Sequence, residues 1–122
     1  MSDINNYAFG MLGQQDAEKF LVCKDYKVLT RNFHSRVGEI DLIMQDGCYI
    51  VFVEVKYRHG AGYGLPRESV TVSKQKKIIK TALHYIAINK LSEQDFRFDV
   101  IEVLGGGGRI EITHIENAFD AW

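Results

Sequence analysis

Few features of this chain mark it for a specialised class, and each shortage removes an option. Its 122 residues include two cysteines, Cys23 and Cys48, whose separation matches no metal-ligand spacing. A reduced cytoplasmic pair is therefore expected. The longest apolar run, Cys48 to Val53, is far too short to cross a membrane. The opening MSDINNYAFG has no basic flank before an apolar core, so no secretory signal is expected. Neither sign of charge dominates, and a net charge of −1 argues against a wholesale electrostatic binder of nucleic acid. Internal repeats and low-complexity segments are missing too. What remains is one globular domain, long enough for a real core and too short for two.

Although balanced in total, charge is uneven along the chain. From Lys56 to Lys80 the basic residues Lys56, Arg58, Arg67, Lys74, Lys76, Lys77 and Lys80 face Glu68 alone. After Ser92 acids outnumber bases. A basic region beside a carboxylate cluster suits a phosphate-backbone substrate, but a lysine-rich surface helix has the same composition.

The carboxylate cluster comes from VGEIDLIMQDGCYIVFVEVKYR (Val37–Arg58). Both halves read as strands, and Asp46-Gly47 is a hairpin turn signal. With Asp46 and Gly47 as the loop, Gln45 pairs with Cys48, Asp41 faces Phe52 and Glu39 faces Glu54. Alternation then puts Glu39, Asp41, Glu54 and Lys56 on one face with Ile43, Ile50 and Phe52. Ile40, Leu42, Met44, Val51, Val53 and Val55 fall on the other, to be buried under a helix. Crowded carboxylates on a half-apolar face ask for a cation, and hard oxygen donors suit Mg²⁺ or Mn²⁺. A Glu54–Lys56 ion pair on a solvated ribbon is the plainer alternative.

A helix is expected over Tyr7–Lys24, with Leu12, Ala17, Phe20 and Leu21 as its buried stripe. A strand follows over Lys27–Phe33, and Arg31 and Arg36 are candidate phosphate contacts. Tyr57–Thr71, with three glycines and the only proline, reads as a loop whose Tyr63 and Arg67 could stack on and pair with substrate. Ser73 is the expected cap of a second helix, Lys74–Asn89, with Lys74 and Gln75 on the substrate side. Strands are expected over Arg97–Leu104 and Arg109–Ile115, joined by Gly105–Gly108, with Asn117–Trp122 as a tail. Asp99 is expected to pair locally with Arg97. The order helix, three strands, helix, two strands calls for a mixed sheet with helices against it.

RNFHSRVGEIDLI (Arg31–Ile43), VFVEVKYR (Val51–Arg58), GLPRESV with a following lysine (Gly64–Lys74), RFDVIEV (Arg97–Val103) and HIENAF (His114–Phe119) together resemble the bacterial YraN family. Through it the chain is similar to the PD-(D/E)XK, or restriction-endonuclease-like, superfamily and to archaeal Holliday-junction resolvases. The resemblance implies an α/β fold, with an α-β-β-β-α-β core, a mixed central sheet flanked by helices and a C-terminal hairpin strand. It implies Mg- or Mn-dependent hydrolysis of DNA that is branched, flapped or single-stranded, by a homodimer in the manner of the resolvases. Asp41, Glu54 and the Val55 carbonyl would hold the metal, Lys56 would activate the attacking water, and Glu39 would be a supporting acid. Arg58 joins the substrate contacts. The chain departs from the family at Gln14, where members carry a first-helix glutamate; Glu18, one turn later, is the acid that would replace it.

Two other classes stay open. A nucleic-acid-binding module without turnover would bind DNA and leave it uncut. A protein-interaction domain would use Lys74–Lys80 and the aromatics Phe119 and Trp122.

Overall fold

The computed structural model describes residues 3–59, 70–106 and 108–121. The order is α1 (Asp3–Cys23), β1 (Lys27–His34), β2 (Glu39–Asp46), β3 (Tyr49–His59), α2 (Val72–Ile88), β4 (Asp95–Gly106) and β5 (Arg109–Phe119). All five strands form one sheet in chain order, antiparallel except that β3 runs parallel to β4. Antiparallel neighbours need only short turns, whereas the parallel pair needs a crossover, which α2 supplies. The expected α/β fold is the one observed: an α-β-β-β-α-β core extended by β5.

Alternation along the strands sorts the core into two layers. Leu42, Met44, Val51, Val53, Ile101 and Val103 pack with Ala17 and Leu21 of α1. Ile43, Ile50, Phe52, Phe98 and Val100 pack with Ile78, Ala82, Tyr85 and Ile86 of α2. Burying whole aliphatic and aromatic side chains at about 1.5–3 kcal/mol each is what holds the helices to opposite faces. A slot in the α1 layer depends on glycine. A Cβ on Gly13 would lie 2.8 Å from the Tyr57 ring, and one on Gly105 would lie 2.5 Å from its hydroxyl.

Both helices end alike. The Tyr26 and Asp25 N–H groups donate to the Leu21 and Val22 carbonyls at 3.0 Å, with Asp25 at φ 69°. At the end of α2, Leu91 and Lys90 donate to the Ile86 and Ala87 carbonyls, with Lys90 at φ 55°. This paired closure satisfies the last carbonyls and turns the chain back toward the sheet.

Several boundaries differ from the sequence expectations. The β2–β3 loop is Gly47-Cys48, because Asp46 pairs with Tyr49 and Gln45 with Ile50. Gly47, at φ 59°, takes the first loop position, where a two-residue turn needs a glycine if only that residue has positive φ. The shift moves the register by two residues, so each side chain in the ladder keeps its face but changes its neighbour. Thr71, not Ser73, caps α2, its side chain accepting from the Lys74 N–H. Tyr57 and Arg58, expected in a loop, extend β3 through pairing with Val103 and Leu104. The supposed tail from Asn117 continues β5 as far as Phe119. It passes an irregularity in which Asn117 takes φ 52° and Phe119 stacks on Phe98 at 5.1 Å. Ile40, expected on the face of Leu42 and Met44, packs instead in the α2 layer, beyond the point where β2 stops pairing with β3.

Candidate active site

The site begins where β2 and β3 stop pairing. Their ladder runs from Asp46↔Tyr49 to Leu42↔Val53 and goes no further. The next β2 residue, Asp41, replaces the lost strand partner with its side chain: Oδ2 accepts the Val55 N–H at 2.8 Å. N–H and C=O of one strand residue point toward the same neighbour, so the Val55 carbonyl faces this opening too. Glu54, one residue before Val55, is 5% exposed and lies beside Asp41. The hairpin thus brings two carboxyls together where the backbone has left room.

The cations come from two elements. Lys56 follows Glu54 on the same face of β3, its Nζ 3.8 Å from Glu54 Oε2. Lys74, on the first turn of α2, brings its Nζ to 2.6 Å from the same oxygen. This oxygen is buried, and the Lys74 ammonium is the nearer of its two charged neighbours. The approach of α2 depends on Gly38, where a Cβ would sit 3.2 Å from Thr81 Oγ1 and 3.6 Å from Lys77 Cβ. These elements enclose a cleft of about 540 Å³ whose walls include Glu39, Asp41, Glu54, Ser73, Lys74 and Lys77.

The protonation equilibria follow from that crowding. Burial, then the hydrogen bond and charge of Glu54, push Asp41 up to about 8 despite the Val55 N–H and the Lys74 charge. Burial and the neighbouring Lys74 pull Lys56 below its ordinary value, against the attraction of Glu54. Burial also opposes the charge on Lys74, but its contact with Glu54 outweighs that and holds it protonated. Two adjacent carboxyls beside one weakened and one strengthened lysine make a site that a divalent cation would relieve.

The remaining candidates are dispersed. Glu39 reaches the cleft wall but is exposed, 3.3 Å from His34 Nδ1, away from the buried acids. Glu18 is held by Arg31 through two hydrogen bonds of 2.6 and 3.0 Å. That pair neither lines the cleft nor leaves either residue uncommitted. Gln14 is half-buried on α1 and is not part of the cleft wall. Arg36 is exposed in the turn before β2, and Arg58 lies 2.9 Å from Glu102. Gln75 points back to the Val70 carbonyl at 3.1 Å, bracing the start of α2. Tyr63 and Arg67 lie outside the described residues. Lys77, which the sequence marks only as part of a lysine-rich surface helix, lines the cleft; its position three residues after Lys74 is the available signal. Glu102, 8% exposed and level with Lys56 in the β3–β4 register, had no sequence signal beyond its place in a strand.

Among the described residues no group of three or more His, Cys, Asp or Glu gathers to hold a metal. The donor set at the strand opening is two carboxylates and a backbone carbonyl. Such a set does not make a closed zinc cage. It fits Mg²⁺ or Mn²⁺, which retain water and share their coordination with a substrate phosphate. Among the described residues no helix is long and apolar enough to cross a membrane.

Known sequences place the chain among similar proteins. A UPF0102 protein of Clostridium novyi is 47% identical over 116 residues, covering 93% of this chain and 97% of that protein. One from Trichlorobacter lovleyi is 51% identical over 118 residues, covering 94% and 92%. One from Clostridium tetani is 52% identical over 99 residues, covering 81% of each. The model of the uncharacterised protein family UPF0102 matches residues 13–103, a span that includes the parted strands, both buried carboxyls and Lys74, and the chain belongs to that family.

Proposed function

We propose that this protein is a divalent-metal-dependent endonuclease that hydrolyses phosphodiester bonds of DNA, selecting branched, flapped or single-stranded structure. One observation carries the reading. Asp41 and Glu54 lie side by side where β2 and β3 part, with the Lys74 and Lys56 ammonium groups 2.6 and 3.8 Å from Glu54. Asp41, Glu54 and the Val55 carbonyl would hold Mg²⁺ or Mn²⁺. The chemistry such an ion would supply there is polarisation of a phosphoryl oxygen and a lower pKa for the attacking water. Lys56, whose ammonium proton is loosened by burial and by Lys74, would first release that proton to solvent and then, as the neutral amine, orient the attacking water and accept its proton. Lys74 remains charged and offsets the negative charge that grows on the phosphoryl oxygens. The cleft opens onto a surface with exposed lysines, and shape rather than base sequence is what so small a domain can read.

A specific observation supports a second reading, a nucleic-acid-binding module without turnover. Gln14 stands where the resemblance calls for an acid, and Glu18 is engaged by Arg31, so α1 adds no carboxylate to the cleft. The two readings separate in one experiment. Labelled duplex, flap, four-way-junction and single-stranded DNA are incubated in Mn²⁺ or Mg²⁺ with wild type, Glu54→Gln and Lys56→Ala, with EDTA controls. Cleavage lost with EDTA and in both variants supports the nuclease. Binding by all three without cleavage supports the module.

A further inference from the structure

Beside the acidic cleft is a second, of about 390 Å³, walled by Val37, Ser73, Lys76, Lys77 and Lys80. Val37, Ser73 and Lys77 wall both clefts, so they form one continuous depression with Lys77 at the divide. The chemistry changes across it. Carboxylates meet ammonium groups on one side, whereas on the other, among the described residues, the charged walls are three lysines, and the sequence has no acid between Glu68 and Glu93.

Helix geometry makes this a track. Lys77 and Lys80 are three residues apart and Lys76 and Lys80 four, so their side chains share a strip of surface. All three are exposed, while Ile78, Thr81, Ala82, Tyr85 and Ile86 turn inward. From Lys74 to Lys80 the charges cover about 9 Å of helix axis at 1.5 Å per residue. That matches two or three backbone phosphates at roughly 3.4 Å of rise each. Val37, 46% exposed, gives the opposite wall an apolar surface for sugar carbons.

We propose that the Lys76–Lys77–Lys80 cleft carries the sugar-phosphate backbone that flanks the phosphate to be cleaved beside Asp41 and Glu54. The strand crosses from one cleft to the other over Lys77. This rests on the nucleic-acid reading above and adds the path of the strand to it. Among the described residues no acid walls the lysine cleft, which is the complementarity a polyanion needs.

The test is binding without cleavage. Fluorescence anisotropy of a labelled single strand and a labelled four-way junction is followed over a salt series in EDTA. Wild type is compared with Lys76→Gln/Lys80→Gln and with Lys19→Gln/Lys27→Gln, which removes the same charge from α1 and β1. Each lysine that neutralises a phosphate contributes about 0.7–0.9 to the slope of log affinity against log salt. The first double variant should therefore lose roughly 1.5 units of slope, while the second keeps the wild-type slope. All four positions are exposed, and thermal unfolding verifies that the variants fold. If the wild type binds and both double variants keep its slope, the track is overturned and the nuclease reading stands. An equal loss in both overturns it too, since the effect is then net charge alone. A wild type that binds neither probe at any salt overturns the track and leaves the lysine face to an acidic protein partner, while cleavage in Mn²⁺ decides the nuclease reading separately.

Discussion

Each face of the one sheet carries an aspartate, one fully buried and one half-buried, and their surroundings could hardly differ more. Under α1, Asp99 is fully buried and accepts from Arg97 Nε at 3.0 Å, His114 Nε2 at 2.7 Å and the Asn117 N–H at 3.0 Å. Burial alone would raise its pKa. The His114 hydrogen bond, with those from Arg97 and Asn117, overrides that and holds it below the ordinary value. Arg97 in turn meets Asp46 and the Tyr26 hydroxyl, and His114 Nδ1 lies 2.8 Å from Lys24 Nζ. Under α2, Asp41 has one backbone N–H and a carboxyl neighbour, and its pKa moves up. A buried acid with every lone pair answered ties strands together. A buried acid set against another acid costs stability and is retained where a ligand resolves the conflict.

That contrast is broken most forcefully at Asp99. Asp99→Ala leaves Arg97 and the buried His114 ring without their shared acceptor. Unfolding in urea should show a loss of about 3–5 kcal/mol, the usual penalty for removing one partner of a buried charge network. Asp41→Asn should do the reverse. It removes one of two adjacent carboxyls and keeps an oxygen for the Val55 N–H, so the unfolding midpoint rises at mildly alkaline pH. Cleavage in Mn²⁺ falls by at least about a hundredfold. A destabilised Asp41→Asn that still cleaves would end the comparison.

pH sharpens it. The folded pKa of Asp99 lies below its ordinary 3.8, so its contribution to stability is complete above about pH 4. That contribution disappears as pH falls through the depressed folded value, where the folded state loses the charge it had kept. The stability curve of wild type should therefore drop below pH 4. In Asp99→Asn, starting from a lower plateau, that part of the slope should be gone. Equal acid slopes in the two proteins would mean that Asp99 is not the titrating group.

How much of this could be read in advance differs between the faces. The α2 face was legible because period-two alternation places Asp41, Glu54 and Lys56 together even when the turn is misplaced. Moving the loop from Asp46-Gly47 to Gly47-Cys48 shifts the register by two, which preserves the face of every residue in the Leu42–Asp46 ladder, while Ile40, beyond its end, changes face. The shift itself changed only the pairing, replacing Phe52 with Glu54 as the neighbour of Asp41. Lys74 was reachable as a helix-start residue, but Thr71 and Ser73 are both good caps, and the strip Lys74–Lys77 turns on which is used. The α1 network was legible only in its local part, Arg97 with Asp99. Tyr26, His114, Glu116 and Lys24 enter from the far ends of the chain, and pairings so distant in sequence leave no periodic trace.

Glu18 gives the smallest expected effect and the most discriminating one. It belongs to neither buried cluster: its partner Arg31 is exposed, and the pair is bidentate on the outer surface of α1 and β1. Hydrogen bonding from Arg31 holds the Glu18 carboxyl below its ordinary value, against a little burial. Ion pairs in such settings add little to stability, because water and salt screen them and two long side chains must be fixed to form them. Glu18→Gln should therefore leave the unfolding midpoint unchanged and cleavage at the wild-type rate across Mn²⁺ concentrations. A fall in cleavage comparable with Asp41→Asn, recovered at high Mn²⁺, would mean that Glu18 leaves Arg31 and supplies the acid that Gln14 lacks. The metal site would then span both sides of the sheet edge, and the division between a satisfied α1 face and a conflicted α2 face would have to be redrawn there.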